Sequence, residues 1–151
     1  MSDLSDLYQD IILDHNRSPR NFRAMDDATH RVEAYNPLCG DHYTIYVRME
    51  GDIIADVSFD GSGCAISKAS ASVMTSVLKG KTKSDADVLF ERFHDLVTRK
   101  EDVTEVELEE MGKVGAFVGV REYPMRVKCA TLAWHTLHAA LEGDAKSVST
   151  E

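Results

Sequence analysis

In Arg31–Tyr35, Tyr43–Met49 and Ile53–Phe59 apolar and polar residues alternate with a period of two, and beyond Gly61-Ser62-Gly63 the patterned segments take the period of a helix. This one-way change limits the fold more than any other feature, because side chains alternate across a strand but return every three or four residues on a helix. Val32 and Ala34 mark a first strand, Tyr43, Ile45, Val47 and Met49 a second, and Ile53, Ala55, Val57 and Phe59 a third. Glu50-Gly51-Asp52 reads as the hairpin turn between the last two. Three consecutive strands with tight connections make an antiparallel meander. Ile66, Ala69, Ser70, Val73, Met74, Val77 and Leu78 then share a helical face that Gly80 stops. Ser84-Asp85 can cap a further helix carrying Val88, Leu89, Phe93, Leu96 and Val97. The acidic run from Lys100 to Glu110 reads as a loop with room for a short helix, and Val114 to Val120 as packed irregular chain. A last helix holds Ala130, Ala133, Trp134, Leu137, Ala140 and Leu141 and ends at Gly143, while Leu4, Leu7, Tyr8, Ile11 and Ile12 form an amphipathic helix ahead of the strands. Strands first and helices after predict an α+β fold: a single domain over 1–143, with a three-stranded antiparallel sheet packed against a layer of helices. The small, polar stretch 144–151 is expected to be a short frayed tail.

At 151 residues the chain is long enough to bury a core without covalent staples. Its formal net charge of -9, with no dense Lys/Arg run, argues against nucleic acid or an anionic membrane as main partner. Met1-Ser2-Asp3-Leu4-Ser5-Asp6 lacks a basic stretch followed by an apolar one, and no segment approaches the ~20 apolar residues of a membrane span. The expected location is therefore the cytoplasm. Three cysteines, an odd number, favour metal binding or thiol chemistry over a disulfide framework in that compartment.

Those cysteines, with one aspartate, are the residues most suited to chemistry. Cys39 and Asp41 lie in Asn36-Pro37-Leu38-Cys39-Gly40-Asp41, Cys64 follows Gly61-Ser62-Gly63, and Cys129 ends Arg126-Val127-Lys128-Cys129. Three thiolates and a carboxylate are a donor set that tetrahedral Zn²⁺ accepts, and thiolates also carry sulfur or hold iron–sulfur clusters. Cys64 is expected at a helix start and Cys129 just before or within the first turn of the final helix, where unpaired N–H groups and the macrodipole favour an anion. Cys39, between Pro37 and Gly40, is expected in a connection with more backbone freedom. Free cysteine is also among the most buried residue types, and these spacings match no paired zinc-knuckle signature, so a metal site, thiol chemistry and buried thiols all remain open on spacing alone. His135 and His138 stand three apart on the last helix, but the sequence suggests no third ligand for them. His42 adjoins Asp41, yet strand alternation turns the two side chains to opposite faces.

Four blocks narrow the choice: Ile12-Leu13-Asp14-His15-Asn16-Arg17-Ser18-Pro19-Arg20-Asn21, the Cys39 block, Gly61-Ser62-Gly63-Cys64-Ala65-Ile66-Ser67 with Ala69-Ser70-Ala71-Ser72, and Arg126-Val127-Lys128-Cys129-Ala130-Thr131-Leu132. Together they resemble the IscU and NifU N-terminal domain family of iron–sulfur cluster assembly proteins, and they run from near the first residue to the last helix. Scaffold-type members resemble one another in carrying a histidine immediately before the third cysteine, and here that position is Lys128. A lysine ammonium cannot serve as that ligand. The long interval from Cys64 to Cys129 likewise resembles the SufU branch. The resemblance implies a SufE/NifU-like fold and Zn²⁺ held by Cys39, Asp41, Cys64 and Cys129. It implies a sulfur-acceptor transferase that stimulates a SufS-type cysteine desulfurase, receives persulfide sulfur on Cys39 while a partner histidine takes that thiol's place on the metal, and supplies the downstream iron–sulfur assembly machinery. Arg126 resembles an arginine that the branch keeps near the metal, where it can pair with Asp41 or stabilise thiolates. The alternative is a scaffold that assembles and transfers a [2Fe-2S] cluster, or binds iron, at the same residues.

Overall fold

The computed structural model describes residues 2–143 and 147–149. Helix α1 (Ser2–Arg17) precedes strands β1 (His30–Asn36), β2 (Asp41–Glu50) and β3 (Ile53–Ser62), which pair antiparallel in sequence order. Helices α2 (Ala65–Leu78), α3 (Lys83–Thr98) and α4 (Glu105–Met111), a 3₁₀ helix (Gly112–Glu122) and α5 (Pro124–Glu142) follow. The α+β order expected from the change of period is thus the observed one. None of the helices among the described residues is long and apolar enough to cross a membrane.

Val32 and Ala34 of β1, Tyr43, Ile45 and Val47 of β2, and Ile54, Val57 and Phe59 of β3 are buried in one core with α2, α5 and the 3₁₀ helix. Alternation predicts Ile53 and Ala55 on the inner face of β3, but Ile54 is buried and Ile53 exposed. A register shift explains the switch: Arg48 pairs with Asp56 while Met49 pairs with Ile54, so Ala55 is an extra residue on β3 and reverses the parity before it.

Helix α2 runs through the middle of the molecule and is buried nearly all round. Its Ala and Ser residues leave room for close neighbours, and the buried hydroxyls are satisfied. Ser70 Oγ donates to the Ala130 carbonyl at 2.6 Å and accepts from Trp134 Nε1 at 3.1 Å. Ser72 Oγ meets His15 Nδ1 of α1 at 2.7 Å and accepts from the Arg20 N–H at 2.8 Å. The α1 stripe of Tyr8, Ile11 and Ile12 packs against this core, whereas Leu7, expected on the same face, is exposed.

Three expectations are corrected. The cap of α3 is Thr82, whose side chain accepts from the Asp85 N–H, rather than Ser84-Asp85, because Lys83 already has helical geometry. The glycine-containing apolar run is a 3₁₀ helix that buries Val114, Ala116, Phe117 and Val120. Finally, Ser147–Ser149 of the tail expected to fray forms a fourth strand, β4, parallel to β1, giving the sheet order β3-β2-β1-β4. The outer edge of β1 carries backbone groups that need partners, and a three-residue strand is enough to engage some of them. The remainder of that tail lies outside the described residues.

Candidate metal centre

One end of the sheet gathers the residues singled out by their chemistry. Strand parity continues past the core: Asn36 follows Val32 and Ala34 on the inner face of β1, and Asp41 precedes Tyr43 on that of β2. The two are register partners, and both are buried at the sheet end. Between them Pro37, Leu38, Cys39 and Gly40 make a turn, closed by the Cys39 N–H to the Asn36 carbonyl at 3.1 Å, with Gly40 at a φ of 70°. Cys39 is half-buried on this turn and Leu38 beside it is exposed.

Cys64 is the N-cap of α2. Its sulfur accepts from the Ser67 N–H at 3.4 Å, the role serine or aspartate usually fills at a helix start. Its own N–H donates to Asp41 Oδ1 at 2.8 Å, and Ser67 Oγ donates to the same oxygen at 3.0 Å. The other carboxylate oxygen, Oδ2, accepts from Asn36 Nδ2 at 3.3 Å and stands 4.0 Å from Cys64 Sγ. Asp41 is therefore held from three sides. Gly63 closes the fourth side by lacking a side chain, since a Cβ there would collide with Asp41 Oδ1 and with the hydroxyls of Tyr43 and Ser67.

Cys129 departs from expectation. Proline at the first position starts α5 at Pro124, so Cys129 lies in the second turn, where its N–H is inside the helix and the terminal dipole no longer acts on it. It is buried, and burial pushes its thiol well above the ordinary cysteine range, with the neighbouring Cys39 and Cys64 thiols and Asp41 acting in the same direction. Its Sγ lies 3.2 Å from Cys39 Sγ, unbonded, and 3.4 Å from Asn36 Nδ2, a donor suited to a thiolate. Burial of Cys129 beside a carboxylate and two other thiols disfavours its thiolate unless a cation offsets the charge, and a divalent ion that prefers sulfur would do so. Cys39, Asp41 and Cys129 offer ligand atoms within 4.8 Å of one another, and Cys64 adjoins them through Asp41.

Arg126 is exposed and lies on the same side of α5 as Cys129, one turn earlier; its guanidinium covers the Tyr123 ring at 4.5 Å rather than pairing with Asp41. His42 faces outward as expected, stacked on Tyr35 at 4.4 Å with Nε2 3.3 Å from Glu33. Buried His15 is structural: burial, helped by Arg20 and Lys113, lowers its pKa to about 4. Asn36, Ser67 and Tyr43 also belong to the site; Asn36 and Ser67 lie in the blocks that carry the family resemblance, but the sequence assigned none of the three a role. For Asn36 the signal was its parity with Val32 and Ala34, and for Ser67 its place three residues after Cys64.

Fold and site together define a small α+β domain that gathers three free thiols around a buried carboxylate at one sheet end. The chain matches the NifU-like N terminal domain over residues 7–143 and belongs to that family. It is 40% identical over 136 residues, 90% of either chain, to the zinc-dependent sulfurtransferase SufU of Bacillus subtilis. It is 35% identical over 147 residues, 97% of this chain and 90% of the other, to the iron-sulfur cluster assembly scaffold protein IscU of Streptococcus pyogenes serotype M1. Among solved structures, a candidate iron-sulfur cluster assembly scaffold protein for the SUF system from Fervidobacterium islandicum superposes with a TM-score of 0.80 at 37% identity, covering 93% of this chain and 99% of that one.

Proposed function

We propose that this chain is a zinc-dependent sulfurtransferase of iron–sulfur cluster biogenesis that takes persulfide sulfur from a SufS-type cysteine desulfurase onto Cys39 and passes it to the assembly machinery. The observation that carries the proposal is the unequal mounting of the four residues. Asp41, Cys64 and Cys129 are set in a strand, a helix cap and a helix, whereas Cys39 stands half-buried on a four-residue turn beside exposed Leu38. A thiol on such a turn can move toward a partner while the other three stay in place. Tyr123 and Met125, exposed on and before the first turn of α5, add apolar surface to the helix that carries Cys129.

Zinc, when bound, keeps the thiols ionised and adds no redox chemistry of its own. Cys39 Sγ attacks the terminal sulfur of the donor's protonated persulfide. A new Sγ–S bond forms as the donor S–S bond breaks, and the electron pair leaves with the donor cysteine as its thiolate. The proton stays on the transferred sulfur, now a Cys39 persulfide, and no outside oxidant is required. Asn36 and Ser67 hold the Asp41 carboxylate in register throughout. In this proposal Arg126 stabilises the thiolates of the exchange; its exposure and its one-turn offset from Cys129 support that role. Three free thiols suit the reducing cytoplasm.

The second reading, a scaffold for a [2Fe-2S] cluster, is favoured by the names of relatives such as that of Streptococcus pyogenes. Lys128, where scaffold-type members carry histidine, weighs against it. Metal analysis of the purified chain combined with a desulfurase turnover assay separates the two. Thiolate-bound zinc, stimulated turnover, and no stimulation from a folded Cys39→Ala variant are expected. Iron in the purified chain, a stable transferable cluster and no stimulation would overturn the proposal.

A further inference from the structure

At the opposite end of α5 from the thiols, the structure brings together a second donor set that owes nothing to sulfur. His135 and His138 do not share a focus: His135 turns toward His94 at 5.7 Å between ring centroids, while His138 lies flat on Phe90 at 4.7 Å and 12°. That stacking aims His138 Nδ1 across to α3, where Asp87 Oδ1 waits at 3.6 Å. Glu142 stands four residues after His138, one turn on and on the same helix face. One ligand atom from each of Asp87, His138 and Glu142 falls within 4.8 Å of the other two. Of the histidine pair considered in the sequence only His138 takes part; Asp87, from a different helix, and Glu142 replace His135.

A second, independent observation concerns the two facing atoms. Asp87 Oδ1 and His138 Nδ1 are both withdrawn from solvent and neither has a hydrogen-bond partner, 3.6 Å being too long for one between them. Polar atoms are costly to leave in that condition. A separation of 3.6 Å is, however, near the edge of a tetrahedron around an ion with ligand bonds of about 2.0–2.1 Å, which is roughly 3.4 Å.

We propose that Asp87, His138 and Glu142 form a second divalent-metal site, with one imidazole nitrogen and two carboxylate oxygens, which takes Zn²⁺ or a similar imidazole-binding ion and completes its shell with water. His138 lies nine positions after Cys129, roughly 13.5 Å along α5, so the two centres fill independently. The side chains of His138 and Asp87 remain 41% and 39% exposed, so an ion here exchanges with solvent far more readily than one among buried thiols. The site therefore does not depend on the sulfur-transfer proposal.

Titration of the full chain with Co²⁺, followed by absorption, tests it. Thiolate ligands give intense near-ultraviolet charge-transfer bands, whereas nitrogen and oxygen ligands give only weak visible ones. The wild type should show a thiolate phase and then a weaker-binding phase without sulfur bands. Asp87→Asn and His138→Ala should weaken the later phase at least about tenfold and leave the thiolate phase unchanged. Should His138→Ala disturb the packing on Phe90, Asp87→Asn and Glu142→Gln carry the test alone. Excess Zn²⁺ should also shift the imidazole ¹⁵N resonances of His138 and not those of His42. Absence of any sulfur-free phase in the wild type, as a bare Asp87–His138 ion pair would give, overturns the site, and so does a sulfur-free phase that survives Asp87→Asn. A sulfur-free phase without a thiolate phase would instead remove the zinc reading of the cysteines and leave this site standing.

Discussion

Gly63 shows how one absent side chain can define a site. Its backbone needs no special dihedral angle; what it supplies is the space into which Asp41, Tyr43 and Ser67 converge. A methyl group there must displace the carboxylate or one of the hydroxyls that set it. Gly63→Ala is expected to weaken zinc binding at the thiols about 10- to 100-fold, as loss of the groups that orient a ligand does, while the chain stays folded; a chelator-competition titration alongside circular dichroism measures both. The same neighbourhood marks the limit of what the sequence discloses about single residues. Asp41 and the cysteines could be picked out by residue type and by the blocks that carry the family resemblance, since their spacing alone left buried thiols open. Asn36, Ser67 and Tyr43 could not, because asparagine, serine and tyrosine occur in a core for many reasons and only their meeting at Asp41 assigns them.

At the scale of elements, local signals were legible and those depending on a neighbour were not. Helices α1, α2, α3 and α5 and the first three strands followed from periodicity, since each carries its own pattern. The extra residue at Ala55 did not, because a bulge is a property of the pairing between β2 and β3 and not of β3 alone. Strand β4 escaped for the same reason, its pairing being with β1 more than a hundred residues earlier. The N-terminus of α5 lies about a turn earlier than expected, because Pro124 serves as its first residue and puts Cys129 in the second turn. Helix α4 is short enough to rely on its cap. Thr104 accepts from the Glu107 N–H while Glu107 reaches back to the Thr104 N–H at 2.8 Å, and the Arg99 guanidinium, with those hydrogen bonds, holds the Glu107 carboxyl down to about 2. Thr104→Ala should cost about 1 kcal/mol in urea unfolding and raise hydrogen exchange in α4 first.

Across the whole molecule, stability is linked to pH through a residue far from the surface. His15 joins α1 to α2, and burial lowers its pKa from the ordinary 6.5 to about 4, so the fold holds it neutral. Between those two values the unfolded chain binds the proton and the native one does not. Stability should therefore fall as pH drops from about 6.5 through about 4, with a slope of up to about 1.4 kcal/mol per pH unit from this group. Urea unfolding at a series of pH values checks it, and His15→Gln should flatten the profile over that window relative to wild type.

The 3.2 Å approach of Cys39 and Cys129 spans 90 positions of sequence. Seen as chain topology, any ion gripping both would staple the β1–β2 turn to the last helix and close most of the domain into a ring. By loop-closure entropy such a ring penalises the unfolded chain on the order of 4 kcal/mol. In the proposed transfer Asp41, two residues from Cys39 in the same donor set, would keep a ring of nearly the same size closed when Cys39 leaves to collect its sulfur, so the acceptor thiol could swing out without untying the domain.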